Sequence, residues 1–376
     1  MSMGRKRDRE IEDVNYDVNN SNDSNYVSTS MDSIAIKIVN EIKISRIDSS
    51  ITYPRLIDSI KDKMSSLVDR FKSETCNVMI GDSNDIDHEF LLPYSKIFSL
   101  NDDDCAYITI AIQEDHILTT SIKVRNGSSL ISLDSFLDVW KRCDRLRYLI
   151  SSHSNTLEAM WSYQREFQYK IPTTFIPLYA KAIYEHFYIN NNMTELRVLD
   201  PCAGWGDRLI AAVTSKVKYY VGFDPNKNLR IGYVKLMELF SITLTSMTND
   251  ELLFSNGFKI ISLPFEVGVQ HLNDDDFDLC FTSPPYFDYE VYSKDNPIYV
   301  DWVKEFYSPL LKGCCDKVQK SKGYVALHLS DTSCGSITSF LKNQVPLITS
   351  LKMINKIGLQ GFYSKETRPV YIFKHS

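Results

Sequence analysis

Residues 195–212 read ELRVLDPCAGWGDRLIAA. An apolar strand through Val198 and Leu199 runs into Asp200. A turn of small residues follows, with Cys202, Ala203, Gly204 and Gly206, and a helix begins at Leu209, Ile210, Ala211 and Ala212. In an open α/β sheet, ligands bind beyond the carboxyl ends of the strands, where such turns lie. Small residues let a ligand approach the backbone closely. The turn is not GxGxxG, and a carboxylate at the strand end repels a pyrophosphate but favours a cationic ligand. Further apolar runs recur at 197–199, 219–223, 277–282, 323–329 and 370–374, with helical stretches between them. That alternation predicts a mostly parallel sheet with helices on both faces.

The next strand, YYVGFD, ends in Asp224, about 20 residues beyond the glycine turn, where an acidic side chain can accept both hydroxyls of a ribose. The alternative is a capping role, since Pro225 suits a first helical position. Both roles are accommodated if Asp224 takes the ribose and Asn226 caps. The segment LPFE places Phe265 to pack on an adenine ring and Glu266 near its amino group; a core Phe and a surface Glu are the competing reading. S-adenosylmethionine, with an ammonium and a sulfonium, suits Asp200 better than a dinucleotide does.

The second informative stretch is FDLCFTSPPYFDYEVY, residues 277–292. A strand ends in Ser283-Pro284-Pro285-Tyr286. The two prolines stop strand and helix alike, stiffen the loop and lack N–H groups, which leaves nearby carbonyls as outward acceptors. An exocyclic base amine is a poor nucleophile because its lone pair is delocalised into the ring. Acceptors from Ser283 and the Pro284 backbone can hold both amino hydrogens and draw the nitrogen toward a tetrahedral geometry. No strong base is required if the proton leaves after transfer. Tyr286 is placed to stack on an extruded base and Phe287 to form the other wall. The competing reading is a rigid turn or a proline-rich ligand for a partner domain. Downstream, Tyr289, Tyr292, Lys294 and Trp302 interleave aromatics with charge, which suits a single strand; for Trp302 core packing is the alternative.

These segments resemble known ones. DPCAGWGDR followed by VGFD is similar to motifs I and II of the class I methyltransferases. PTTFIPLYAKAIYEHF, just upstream, resembles their extra cofactor-binding motif, which implies that Phe175 and Pro177 lie near the cofactor. Ser283–Tyr286 resembles motif IV of the amino methyltransferases, and KGYVALHL and RPVYIFKH resemble the later strands of the fold. The resemblance covers residues 161–376. It implies a Rossmann-like class I methyltransferase fold, a seven-stranded mostly parallel sheet with helices on both faces, and S-adenosylmethionine as cofactor. Cofactor contacts then fall to Phe175, Asp200, Cys202, Ala203, Gly204, Gly206, Asp224, Phe265 and Glu266. Ser283, Pro284, Pro285 and Tyr286 become catalytic, and Tyr286 and Phe287 hold the base. The serine form of the motif points to DNA cytosine N4. DNA adenine N6, an RNA base amine, a small molecule or protein glutamine, and a non-catalytic scaffold subunit are the alternatives.

The rest of the chain bounds this reading. Its 376 residues are 43% hydrophobic and 24% charged, a globular composition. The net charge of −6 argues against a protein that coats nucleic acid non-specifically, though not against a local basic grip. Eight cysteines show no CxxC pair, hence no zinc or disulfide framework and no metal. No signal peptide or membrane span is read, so a soluble intracellular protein is expected. Residues 1–32 are polar and expected to be disordered, with a basic cluster at Arg5, Lys6, Arg7 and Arg9. Residues 33–155 are expected to form an N-terminal α+β extension for target recognition, partner binding or self-association. Its expected elements are helices at 53–71 and 133–149 and strands at 76–80 and 107–112. Lys141, Arg142, Arg145 and Arg147 suit either a phosphate backbone or a solvated helix face. Residues 156–376 are expected to carry the chemistry, with DNA favoured over RNA.

Overall fold

The structure is a computed structural model. It describes Asp69, residues 90–93, 123–126, 129–132, 175–285, 290–291, 301–329, Asp331, and residues 337–360 and 367–376. The chain divides into two units, Met1–Arg46 and Ile47–Ser376, and every described residue lies in the second. The strands are β1 (Phe90–Pro93), β2 (Lys123–Asn126), β3 (Ser129–Ser132), β4 (Leu196–Asp200), β5 (Val217–Phe223), β6 (Leu244–Met247), β7 (Glu251–Phe254), β8 (Lys259–Ile261), β9 (Leu279–Thr282), β10 (Glu290–Val291), β11 (Tyr324–His328), β12 (Leu351–Gln360) and β13 (Thr367–His375). The α-helices are α1 (Pro177–Asn190), α2 (Asp207–Val213), α3 (Arg230–Leu239), α4 (Phe265–Gly268), α5 (Ser308–Lys317), α6 (Thr338–Asn343) and α7 (Val345–Ile348).

Among the described residues, ten strands form one sheet in the order β1-β12-β13-β11-β9-β4-β5-β8-β7-β6. After β1 at one edge, the chain enters the middle of this order at β4, passes through β5 to the far edge at β6, and returns by β7 to β8 beside β5. It then returns to the other side of β4 as β9 and winds outward again through β11. Neighbours from β8 to β11 are parallel; β13 runs antiparallel between β11 and β12. The seven strands from β8 to β12 are the mostly parallel sheet that the sequence implied. β6 and β7 extend one edge as an antiparallel pair, and β1 extends the other, parallel to β12. The reversal of winding between β4 and β9 leaves a crevice at their carboxyl ends.

Alternate side chains along a strand face opposite sides of the sheet, and both sides are covered. Val325 and Leu327 of β11 join Leu199, Val221, Phe223 and Cys280 in a core closed by α4–α7, with Phe265, Leu310, Leu311, Cys314, Phe340 and Val345. Tyr324 and His328 face the other way. Tyr324 packs on Phe187 of α1 and donates to the Asn191 side chain (2.9 Å). Tyr184 of α1 meets Phe281 of β9 edge-on and donates to the Arg208 carbonyl of α2 (3.3 Å). Pro177 sits in the first turn of α1, where its missing N–H costs nothing.

The expected boundary near residue 155 is crossed by strand pairing. β1 belongs to the segment assigned to the N-terminal extension, yet it hydrogen-bonds along β12. The β2–β3 hairpin pairs with β10, which follows the Pro-Pro loop. Asp69 is helical within the expected 53–71 helix. The expected strands at 76–80 and 107–112, the 133–149 helix with its basic residues, and the N-terminal basic cluster lie outside the described residues. No described helix is long and apolar enough to cross a membrane.

Candidate active site

The carboxyl ends of β4, β5, β9 and β11 bring together most of the residues singled out in the sequence. Asp200 ends β4 and is fully buried. Its carboxylate is held bidentate by Arg208 of α2, Nε to Oδ2 at 2.8 Å and Nη2 to Oδ1 at 3.2 Å. The Tyr220 hydroxyl donates to Oδ2 (2.7 Å) and the Cys202 amide to Oδ1 (3.3 Å). Arg208 Nη2 also donates to the Cys202 carbonyl. Burial works against the guanidinium's charge, but Asp200, together with Tyr220 and Tyr184, outweighs it and keeps the Arg208 pKa above its ordinary value. Burial, reinforced by Asp200, pushes the Tyr184 and Tyr220 hydroxyls well up. The Asp200 carboxylate is thus paired inside the protein, where it shapes the turn.

The turn itself is built as its small residues suggested. Gly204 and Gly206 adopt positive φ, +57° and +101°, a region that disfavours side chains. A Cβ on Gly206 would lie 2.7 Å from Leu236 Cδ1 of α3. At Gly204 the space is open, with the Cys202 carbonyl oxygen the nearest atom at 3.9 Å. The Ala203 amide donates to the Phe223 carbonyl (2.7 Å), and Tyr233 of α3 donates to the Gly204 carbonyl. These bonds tie the turn down and leave open space above Gly204.

Asp224 follows β5, half-buried beside that room. Oδ2 accepts from the Gly204 amide (3.0 Å) and Oδ1 from the Asn226 amide (2.8 Å). Burial pushes its carboxyl up to about 7, against the pull of these two amides and with Asp200 adding to the rise. Asp224 is thus a carboxyl group beside the open backbone at Gly204. Asn226 does cap, accepting from the Asn228 amide (3.2 Å).

Phe265 takes the core alternative: it is only 2% exposed, stands edge-on to Phe223 at 5.1 Å, and fills the space above Gly313 of α5. Glu266 is half-buried in the first turn of α4. Phe175, in contrast, joins the two halves of the site. Its ring meets Phe281 at 5.4 Å and His328 at 5.1 Å, both edge-on, and the Arg208 guanidinium lies over it at 5.7 Å.

The Pro-Pro loop leaves β9 next to the turn. Thr282 is fully buried, and its hydroxyl accepts from the Cys202 amide (3.1 Å), which ties the two strand ends together. Ser283 Oγ lies 3.0 Å from His328 Nδ1. Pro284 is buried, and its carbonyl has no hydrogen-bond partner among the described residues. Pro285 is half-buried, and its carbonyl accepts from the buried Tyr307 hydroxyl (2.8 Å). Tyr307 ends a π-helical stretch, Val303–Tyr307, that runs into α5. Trp302 packs on Phe306 and Tyr307, which is the core alternative for that residue. Tyr286, Phe287, Tyr289, Tyr292 and Lys294 lie outside the described residues. Arg208, Thr282, Tyr307 and His328 were missed in the sequence; Arg208, Thr282 and His328 lie inside stretches that were singled out, but only three-dimensional proximity reveals their partners.

No protein-family model matches the chain, and no curated protein matches it. Solved structures do. TrmN from Thermus thermophilus is 12% identical over 57% of this chain and 53% of its own, with a TM-score of 0.37. A TehB-like S-adenosylmethionine-dependent methyltransferase from Corynebacterium glutamicum is 12% identical over 58% of this chain and 96% of its own, TM-score 0.34. TYW2 from Methanocaldococcus jannaschii, in complex with S-adenosylmethionine, is 15% identical over 55% of this chain and 80% of its own, TM-score 0.33. The strand order defines the architecture. The fold is a Rossmann-like, doubly wound α/β sheet.

Proposed function

We propose that this chain transfers the methyl group of S-adenosylmethionine to an exocyclic amino group of a nucleic-acid base, with cytosine N4 of DNA as the preferred acceptor. The observation that carries the reading is one crevice holding two things side by side. One is the open backbone at Gly204 with Asp224. The other is the Ser283-Pro284-Pro285 loop, joined to the turn through Thr282 and Cys202. The preference for cytosine in DNA rests on the serine at position 283 and its resemblance to motif IV.

The residues present fit this cofactor. The space above Gly204 admits a ligand against the backbone, Asp224 provides an anionic acceptor for ribose hydroxyls, and Phe175 walls the crevice. When bound, the cofactor supplies a methyl group on a cationic sulfur, an electrophile that needs no further activation. The protein's own part is to place a nucleophile. Ser283 Oγ and the Pro284 carbonyl accept the two amino hydrogens, and Tyr307 holds the neighbouring Pro285 carbonyl and so fixes the loop. Rigid placement of this kind lowers the barrier by removing the entropy of alignment.

Asp224 gives the binding step a pH dependence. Its carboxyl is held protonated to a higher pH in the folded chain than in the unfolded one. It therefore favours folding below about pH 4, and that advantage is lost as pH rises through about 7. Hydroxyl donors favour the ionised form, so binding is expected to be strongest above pH 7 and to weaken about tenfold per unit below it. Calorimetry with S-adenosylmethionine from pH 5.5 to 8.5 measures this. An Asp224→Asn variant with the same pH slope as the wild type would show that another group is responsible.

The acceptor is tested by incubating the full chain with methyl-labelled S-adenosylmethionine and matched DNA and RNA, single- and double-stranded. Mass spectrometry of the digested nucleosides then names polymer, base and nitrogen. N4-methylcytosine in DNA is the expected product. N6-methyladenine or a methylated RNA base would move the acceptor within the same chemistry. Absence of any methylated base, with cofactor bound, would refute the reading.

A further inference from the structure

β11 lies beside β9 in parallel, with Leu327 opposite Thr282. The next residue of each strand is then His328 and Ser283, and the register places their side chains together. His328 Nδ1 stands 3.0 Å from Ser283 Oγ. The ring is 6% exposed and stands edge-on to Phe175, so its orientation is set by packing. Building on the methyl-transfer reading of this site, we propose that His328 is a positioning residue for the transfer. Its Nδ1 accepts the Ser283 hydroxyl proton and, through Ser283, takes the proton that the base amine must lose.

The argument turns on the direction of one hydrogen bond. A serine hydroxyl has one proton and two lone pairs, and a neutral imidazole has one donor and one acceptor nitrogen. If Ser283 donates to Nδ1, both Oγ lone pairs remain to accept an amino hydrogen. If Nδ1 instead donates, the serine proton is left pointing toward the amine and competes for the lone pair that must attack. The productive form is therefore the tautomer that carries its proton on Nε2. In the step that follows, the amine N–H and the Ser283 Oγ–H bonds break, and new Oγ–H and Nδ1–H bonds form. The electron pair of the N–H bond stays on the base nitrogen and cancels the charge that methylation leaves there. The positive charge ends on the imidazolium. Serine alone has no stable place for that proton, whereas the imidazole nitrogen beside it can hold one. This agrees with a site that needs no strong base before transfer and a weak one after it.

Two measurements on the full chain test the inference. The first is independent of turnover. Long-range ¹H–¹⁵N spectra of ¹⁵N-histidine protein, with His328 assigned by its loss in His328→Asn, are expected to show the Nε2–H tautomer. They are also expected to show an Nδ1 resonance that moves in Ser283→Ala. An Nδ1–H tautomer would overturn the proposal. The second uses S-adenosylmethionine with mixed-sequence single-stranded DNA and RNA oligonucleotides. In His328→Asn the amide oxygen occupies the place of Nδ1 and still accepts the serine proton, but it is no base. About a 10²-fold loss in kcat is expected, with KM for the oligonucleotide and cofactor affinity unchanged. Wild-type kcat in this variant would reduce His328 to a structural hydrogen bond and sink the proposal. If the wild-type chain methylates neither oligonucleotide, the methyl-transfer reading itself fails, and the tautomer alone then decides whether the Ser283–His328 bond runs in the direction argued.

Discussion

Replacing Arg208 by Ala is expected to lower the stability of the folded chain by about 3–5 kcal/mol, the cost of leaving a buried charge without its partner. The magnitude follows from how completely the pair is enclosed. The Asp200 side chain is 0% exposed and that of Arg208 4%. With Arg208 gone, the carboxylate keeps the Tyr220 hydroxyl and the Cys202 amide. The truncation also removes the donor to the Cys202 carbonyl and the cation over Phe175. The turn and the wall of the crevice therefore loosen together. Urea unfolding followed by circular dichroism measures the loss as a lower midpoint. A paired replacement, Asp200→Leu with Arg208→Met, tests the cause, because removing both charges avoids the orphaned carboxylate. It is expected to recover most of the stability but not cofactor binding, since the Cys202 amide then lacks its acceptor at position 200. An Arg208→Ala midpoint equal to that of the wild type would refute the structural role given to the pair.

The same pair shows what the sequence could and could not convey. Asp200, the small-residue turn and Asp224 were legible because each is a local signal: a strand end, residues able to take positive φ, and a fixed spacing. The charge state of the site was not. Arg208 lies eight residues from Asp200, on the far side of the turn, and its spacing names no partner. Only the fold directs the guanidinium inward, against the Asp200 carboxylate. The place of Phe265 was left open for a related reason. A Phe after a strand can flank a ligand or fill a core, and what decides is Gly313 in a helix that folds against it, 48 positions downstream in the sequence. Among the strands, β4, β5, β9, β11 and β13 were readable as apolar runs. β6 was not, because its residues are largely exposed at the sheet edge. β12 buries alternate residues, Leu351, Met353, Asn355, Ile357 and Leu359, and the polar Asn355 interrupts the apolar pattern. β1 forms an edge strand whose partner lies more than 260 residues downstream, which no local pattern encodes.

Ser283→Ala is expected to reduce methyl transfer about 10³-fold while leaving cofactor affinity within about threefold of the wild type. The separation of the two effects comes from adjacent hydroxyls with different duties. Thr282 Oγ1 faces the Cys202 amide and belongs to the turn. Ser283 Oγ faces His328 and belongs to the loop. Removing the second leaves the first intact, along with the Arg208–Asp200 pair and the Gly204–Asp224 contact that shape the cofactor end. What is lost is an acceptor for one amino hydrogen and the route to His328. The Pro284 carbonyl remains as the other acceptor, so ground-state binding of the base changes little while the attacking nitrogen loses its alignment. In kinetic terms kcat and kcat/KM fall together, the sign of an interaction made mainly in the transition state. Because Ser283 and His328 act as one unit, the double variant Ser283→Ala/His328→Asn is expected to be no slower than Ser283→Ala alone. Single-turnover transfer with labelled cofactor, beside calorimetric cofactor binding, reads both quantities. A Ser283→Ala chain that binds cofactor poorly but transfers at the wild-type rate when saturated would place the serine with the cofactor instead of the base.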